Sequence, residues 1–428
     1  MIQNNRSYSA NAVITDFRQF VPVADHPKIA GLSEMDAHAY GAHALQNPWI
    51  REWTGLWRES YGRPFVGITT DGSCIPGLFP LADEQAPTGA MTAAARRLLD
   101  RASGEQRGRL CRTIDAAEWR IWSNPEFYVN KAGIRLEEEP DLQDGIFELL
   151  RTSLSARGYA KVRGVMKINA FLGVLCNARG VMNEFSYNFT LFGTPHEDAP
   201  WGWQIFGHHL VLNCFVLGRQ MVLSPCFLGS EPNVVDAGPD AGLTLFRDEE
   251  RLGLELMRSL PAPLHDRAWV YRLMNDPAMP PGRHHRSDQR QLGGAFQDNR
   301  IVPYEGVNAG QFSNPAQQRL LNLAAAFLEI MPEGALAAKI QAIANHIEDT
   351  WFSWIGGTGD LDPFYFRIQS PVVMMEFDHH SGVFLTNTEP AKCHTHTLIR
   401  TPNGNDYGKD ILRQHYATVH PGRAPGTG

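Results

Sequence analysis

The chain has 428 residues, with 39 Lys and Arg against 46 Asp and Glu, and a formal charge of −7 excludes a basic nucleic-acid binder on bulk charge. With 43% hydrophobic and 20% charged residues, it has ample apolar surface for a core and lies far from disordered or coiled-coil compositions. Its six cysteines (Cys74, Cys111, Cys176, Cys214, Cys226, Cys393) form no CxxC pair and no closely spaced framework, which argues against a disulfide scaffold or thiolate zinc knuckle and for a reducing compartment.

The N-terminus lacks a basic stretch followed by an apolar one, and the most apolar segment, Ile168 to Cys176, is too short to span a membrane. A soluble cytoplasmic protein is expected. Ser33 to Trp57 reads as helix, with Ser33 and Asp36 close to a capping box and a break at Asn47-Pro48. Arg63 to Gly72 reads as a strand ending in an Asp-Gly turn. Pro87 to Ala102, Leu142 to Ala156 and Tyr159 to Asn177 carry helical periodicity. From Asn183 the pattern changes. Phe185 to Phe192, Trp201 to Leu217 and Gln220 to Phe227 are rich in aromatic and β-branched residues, broken at Gly193-Thr194-Pro195 and Gly218-Arg219, as in an antiparallel meander.

Arg247 to Leu260 and His265 to Asn275 return to helical spacing, and a polar loop runs from Asp276 to Asn299. A helix is expected from Asn314 as N-cap with Pro315 first, and another over Glu333 to Trp351. Strands over Pro363 to Phe377 and Lys392 to Arg400 precede a last helix over Gly408 to Tyr416. Strands returning after so long an interval most simply join the earlier meander in one sheet. The fold class is therefore α+β: a mainly antiparallel sheet flanked by helices, with a helix-rich N-terminal lobe (1–180), a mixed lobe carrying the site (181–416) and a flexible tail (417–428).

The sequence contains no GxSxG, HExxH, GxxxxGK[ST] or strand-following GxGxxG, so serine-hydrolase and nucleotide readings lose their support, and Gly356-Gly357-Thr358-Gly359 reads as a plain loop. Histidine is the informative residue: six of the 16 lie between His379 and His420. On an extended strand His394 and His396 share a face and can hold one ion, whereas His208 and His209 point oppositely unless Gly207 permits a bulge. Glu376 and Asp378 also share a face, and a carboxylate in so apolar a run needs a strong partner. If the two strands pair, the carboxylates and imidazoles converge on the ligand set of catalytic zinc or non-haem iron.

The expected metal ligands are His394, His396, Glu376 and His209, with zinc first and iron as the alternative. The expected catalytic groups are Asp378, His208, Arg400 and Asp406. Asp378 or a neighbouring histidine would act as general base, Arg400 would hold a substrate carboxylate or carbonyl, and Asp406 would orient a ligand histidine or cap the last helix. On a purely structural reading Glu376 pairs with Arg400 or Arg367, and Asp378 caps the turn before Ser381-Gly382. Gly282 to Gly294 reads either as a solvated loop or as a lid.

Four blocks, Trp203 to Leu210 (WQIFGHHL), Glu376 to Asp378 (EFD), His394 to His396 (HTH) and Asn405 to Gly408 (NDYG) followed by Asp410-Ile411-Leu412, resemble the bacterial and fungal family of unknown function numbered 3500. Where that family has Asn after EFD, this chain has His379. The resemblance implies one integrated domain from about Ser33 to Tyr416 and brings no established activity. The residues themselves suggest a metal-dependent enzyme that hydrolyses a small organic molecule without nucleic-acid or membrane partners. The alternatives are an iron oxygenase or isomerase, and a metal-free binding protein or lyase.

Overall fold

The aromatic and β-branched segments build one twelve-stranded sheet in the computed structural model, which describes residues 16–419. The strands are β1 (Cys111–Arg112), β2 (Ile134–Arg135), β3 (Tyr187–Gly193), β4 (Trp201–Gly207), β5 (Leu210–Leu217), β6 (Gln220–Ser230), β7 (Trp269–Tyr271), β8 (Val307–Asn308), β9 (Trp351–Gly356), β10 (Phe364–Gln369), β11 (Met374–His379) and β12 (Thr395–Arg400). Their order is β1-β3-β4-β5-β6-β12-β11-β10-β9-β7, with β2 on β3 and β8 on β9. Only the β1–β3 and β7–β9 pairs are parallel. The fold is thus α+β with a mainly antiparallel sheet and a helix-rich N-terminal region. No helix among the described residues is long and apolar enough to cross a membrane.

The helices over Thr88–Arg101, Pro140–Ser153, Ala156–Leu175, Arg247–Ser259 and Asn314–Leu328 lie where their periodicity predicts. Ser313 rather than Asn314 precedes the last of these. Several expectations are corrected. Arg63 to Gly72 forms no strand, only a bridge from Thr69 to Ile301, because Pro64 has no N–H to donate and Gly67 takes a left-handed φ of 101° against the backbone of Gly404. The helix expected at His265 runs only over Ala262–Ala268, since Trp269, Val270 and Tyr271 favour a strand. The one ending at Trp351 stops at Asn345 for the same reason. Pro363 to Phe377 is a hairpin broken at Ser370-Pro371, and Trp201 to Leu217 is a hairpin turned at His208-His209. The last helix reaches Val419, and the residues beyond it, His420 included, lie outside those described.

The two faces of the sheet differ in chemistry. Phe352, Trp354, Phe366, Ile368, Met375, Phe377 and Ile399 point to one side, where they form a single apolar cluster with Leu210, Leu212, Cys226, Leu228 and the buried stripes of the covering helices. Burial of each such Leu or Phe contributes about 1.5–3 kcal/mol. The other side is polar: His396, Asp378 and Tyr365 stand in one cross-strand row, and Leu398, Glu376, Arg367 and Ser353 in the next. All seven are buried, so that face must satisfy its charges from within the protein.

Candidate metal centre

Gly207 ends β4, and the chain turns through His208 and His209 into β5, with His209 in the left-handed region at φ 61°. Such a backbone is unfavourable for a side-chain-bearing residue and is held by tertiary contacts. The His209 N–H donates to the Asn124 carbonyl, and its own carbonyl accepts from the Gly229 N–H. In the turn the two histidines do not alternate faces as they would in a strand. Their rings stack 3.9 Å apart, and His208 Nδ1 bonds Asn169 Oδ1 at 2.8 Å. His208 therefore buttresses His209 rather than joining it at the centre.

The ring of His209 meets those of His394 and His396. Its Nε2 is 3.1 Å from each of their Nε2 atoms, which are 2.9 Å apart from each other. These three buried residues form a group that could hold a metal ion. His394 Nδ1 faces the Ser381 carbonyl at 2.8 Å, which can only accept, so the His394 hydrogen lies on Nδ1 and its Nε2 is a bare lone pair. His396 Nδ1 lies 3.3 Å from the Gln291 side-chain amide; with the amide oxygen at that position His396 also carries its hydrogen on Nδ1 and presents Nε2 as a lone pair. Burial first, and repulsion among neighbouring imidazoles second, hold His209 and His396 well below the usual histidine range; burial also lowers His394. Neutral imidazoles are the form that binds metals.

Gly229 makes this meeting possible. It lies on β6, between the hairpin carrying His209 and strand β12, and pairs with His396. A Cβ there would fall 2.8 Å from His396 Cδ2 and 2.9 Å from His209 Cδ2. The two rings thus lean over a strand from opposite sides because that strand presents no side chain. Gly229→Ala is expected to leave the secondary structure intact and to weaken metal binding at least tenfold, read by competition with a chelating dye. Unchanged affinity would show that the rings need not converge.

The other expected site residues are not brought to the three nitrogens. Glu376 accepts from the N–H groups of Leu292 (2.8 Å) and Gly293 (2.9 Å) and from the Tyr365 hydroxyl (2.6 Å). Asp378, the cross-strand neighbour of His396, is clamped by Arg290 through Nε at 2.7 Å and Nη2 at 3.1 Å. Burial pushes its carboxyl up to about 6 even with Arg290 opposing the shift. Arg400 donates to the carbonyls of Gly293 and Gly294 and to Asp298 and Asp406. These bonds take four of its five N–H groups, so the guanidinium is committed to the buried network rather than offered as a fork to a substrate. Asp406 also accepts from Ser224 Oγ and the Thr401 N–H, so it neither caps the last helix nor orients a histidine. His379 accepts from the Phe364 N–H and faces Glu250.

These partners come largely from one segment. Gln289 to Phe296 is buried, not solvated, because Asp378 holds its arginine and Glu376 holds its backbone. It lies over the polar face and delivers Gln291 to His396. Glu376→Ala would strand three buried donors, at about 1–3 kcal/mol each. It should lower the urea midpoint strongly, whereas Glu389→Ala, on an exposed residue, should be nearly neutral. Equal midpoints would contradict this account.

Sequence reasoning missed Gly229, Arg290 and Gln291, and also Glu231. The last accepts from the N–H groups of Val383, Phe384 and Leu385 and lies 3.8 Å behind His394 Nδ1. The signal for Glu231 was present, since it directly follows an apolar strand, as Glu376 lies within one; the glycine inside β6 was a second. His380 is also buried, with its ring 4.3 Å from that of His396. Its Nδ1 faces the Ser381 carbonyl and its Nε2 has no hydrogen-bond partner.

The family described as "Protein of unknown function (DUF3500)" matches residues 84–409, most of the chain, and the chain belongs to that family. No curated protein and no solved structure matches it.

Proposed function

We propose that this member of a family of unknown function is a metal-dependent enzyme that hydrolyses a small organic molecule at an ion held by His209, His394 and His396. The observation that carries the reading is the convergence of three buried imidazole Nε2 atoms, those of His394 and His396 at 2.9 Å with His209 Nε2 3.1 Å from each. Buried lone pairs placed in this way repel one another, and a bound cation turns the repulsion into ligation. The protein keeps the arrangement rigid by fixing both Nδ1 atoms to oxygens, which orients ligand histidines as an outer shell does.

Three protein ligands leave an open coordination position, and a zinc ion there would lower the pKa of a bound water from 15.7 to about 7. An all-imidazole donor set without a carboxylate favours zinc over iron. With Asp378 clamped by Arg290, the group left beside the centre for the base role is His380, whose basicity is lowered first by burial and then by the neighbouring His394.

One observation favours iron as the second reading. With metal–nitrogen bonds of about 2.1 Å, nitrogens 2.9–3.1 Å apart subtend about 90° at the ion, the angle of an octahedral face rather than a tetrahedron. Elemental analysis of protein purified without a histidine tag separates the cases. Near-stoichiometric zinc supports hydrolysis; iron, with activity lost on aerobic storage, supports an oxygenase or isomerase. If neither ion is taken up by chelator-treated protein, the chain is a metal-free binding protein or lyase and the proposal falls.

A further inference from the structure

On the opposite, apolar side of the sheet, a cavity of about 340 Å³ opens between the start of β6, the end of β12 and the helix over Glu333–Asn345. Its volume lies within the range of about 300–1,000 Å³ typical of small-molecule sites. Phe79, Met221, Leu223, Met331, Ile399 and Ile411 supply an apolar wall. Three charged side chains also line it: Asp83, which is paired with Arg219 at 3.0 Å, and Glu84 and Lys339, which have no ion-pair partner among the described residues. Lys339 Nζ donates to the Val372 carbonyl at 2.8 Å and lies 3.4 Å from Thr401 Oγ1, so an ammonium with three N–H groups retains one. Glu84 accepts from Gln220 Nε2 at 2.9 Å and from the Met221 N–H at 3.4 Å, which leaves lone pairs on its carboxylate.

Lys339 and Glu84 are close enough to act on each other electrostatically, yet among the described residues they form no ion pair. Burial lowers Lys339 to about 8 against the pull of Glu84 and Asp406, and burial raises Glu84. Both shifts report charges removed from water and not neutralised by direct contact. Two opposite charges that line one cavity without pairing with each other, beside an apolar wall, are complementary to a molecule carrying both charges on an apolar body. A simple carboxylate would meet Lys339 but be repelled by Glu84, and a simple amine would meet the converse.

We propose that this cavity binds a small zwitterion with an apolar body, of the class of the apolar α-amino acids, with its carboxylate on the free N–H of Lys339 and its ammonium toward Glu84. The site is separate from the histidine centre and does not depend on the metal reading. The test is isothermal titration of the full chain with L-leucine and L-phenylalanine, beside hexanoate and hexylamine, which each lack one of the two charges. One of the amino acids should bind at least tenfold tighter than either single-charge probe, and Ala342→Phe, which fills the cavity and keeps both charges, should weaken it at least tenfold. Glu84→Gln should narrow the gap between leucine and hexanoate. Absence of binding by both amino acids at about 10 mM overturns the proposal. So does hexanoate binding as tightly as leucine, or full binding in a folded Ala342→Phe variant. If a variant fails to fold, the ranking of the four probes on the unaltered chain still decides.

Discussion

His396→Ala is expected to abolish stoichiometric metal uptake and any turnover while leaving the far-UV circular dichroism nearly unchanged. His396 lies 2.9 and 3.1 Å, Nε2 to Nε2, from the other two ligands, so its loss leaves two imidazoles and no enclosing geometry. Loss of an orienting partner costs about 10–100-fold in metal affinity, and loss of one of three ligands should cost far more. The strand itself does not need the ring, because the backbone around residue 396 pairs with β6 on one side and β11 on the other. Removing the ring also relieves the lone-pair contact with His394. The metal-free variant should therefore unfold close to the metal-free parent, while the rise in thermal midpoint on adding metal, about 4 kcal/mol at a thousandfold excess over Kd, should vanish. A variant that keeps its metal and its metal-dependent shift would make His396 a structural histidine and remove the main support for a metalloenzyme.

Asp378→Ala is expected to be strongly destabilising, by about 3–5 kcal/mol in chemical denaturation. Arg290 and Asp378 are both fully buried. The remaining acceptors of Arg290, among them Met274 O, Gln289 Oε1 and His379 O, are neutral, so the variant would leave a cation without its counter-charge. Asp378→Asn keeps the shape and part of the hydrogen bonding and should cost less. Adding Arg290→Met to Asp378→Ala should recover part of the loss, because two apolar groups replace an unpaired charge. The same change should speed amide exchange across Gln289 to Gly294, the segment that carries Gln291 to His396. A loss below about 1 kcal/mol would mean that the pair is solvated in solution and that the segment is held by Glu376 alone.

Much of this was readable in the chain. Histidines two apart in Cys393-His394-Thr395-His396-Thr397 must share a face once the segment is extended, and the β-forming threonines extend it. The pairing of that strand with the one bearing Glu376 and Asp378 also followed, since the intervening loop joins adjacent antiparallel strands. What failed at His208-His209 was local. The hairpin turns there without the Asn-Gly or Asp-Gly signal that marks such turns, so the sequence reads as one long strand through the doublet.

The sequence by itself determined the α+β class, the long helices and the separation of polar from apolar residues along β10, β11 and β12, because helical and strand periodicities are properties of neighbouring residues. It did not determine which carboxylates were free. Arg290 reaches Asp378 across 88 positions, Leu292 reaches Glu376 across 84, and Asp298 reaches Arg400 across 102. No local pattern encodes such contacts. Only the tertiary structure decided that Glu376, Asp378 and Arg400 are held by one buried segment while three imidazoles from two places in the chain meet over Gly229, because a buried charge takes whichever partner the packing brings within reach.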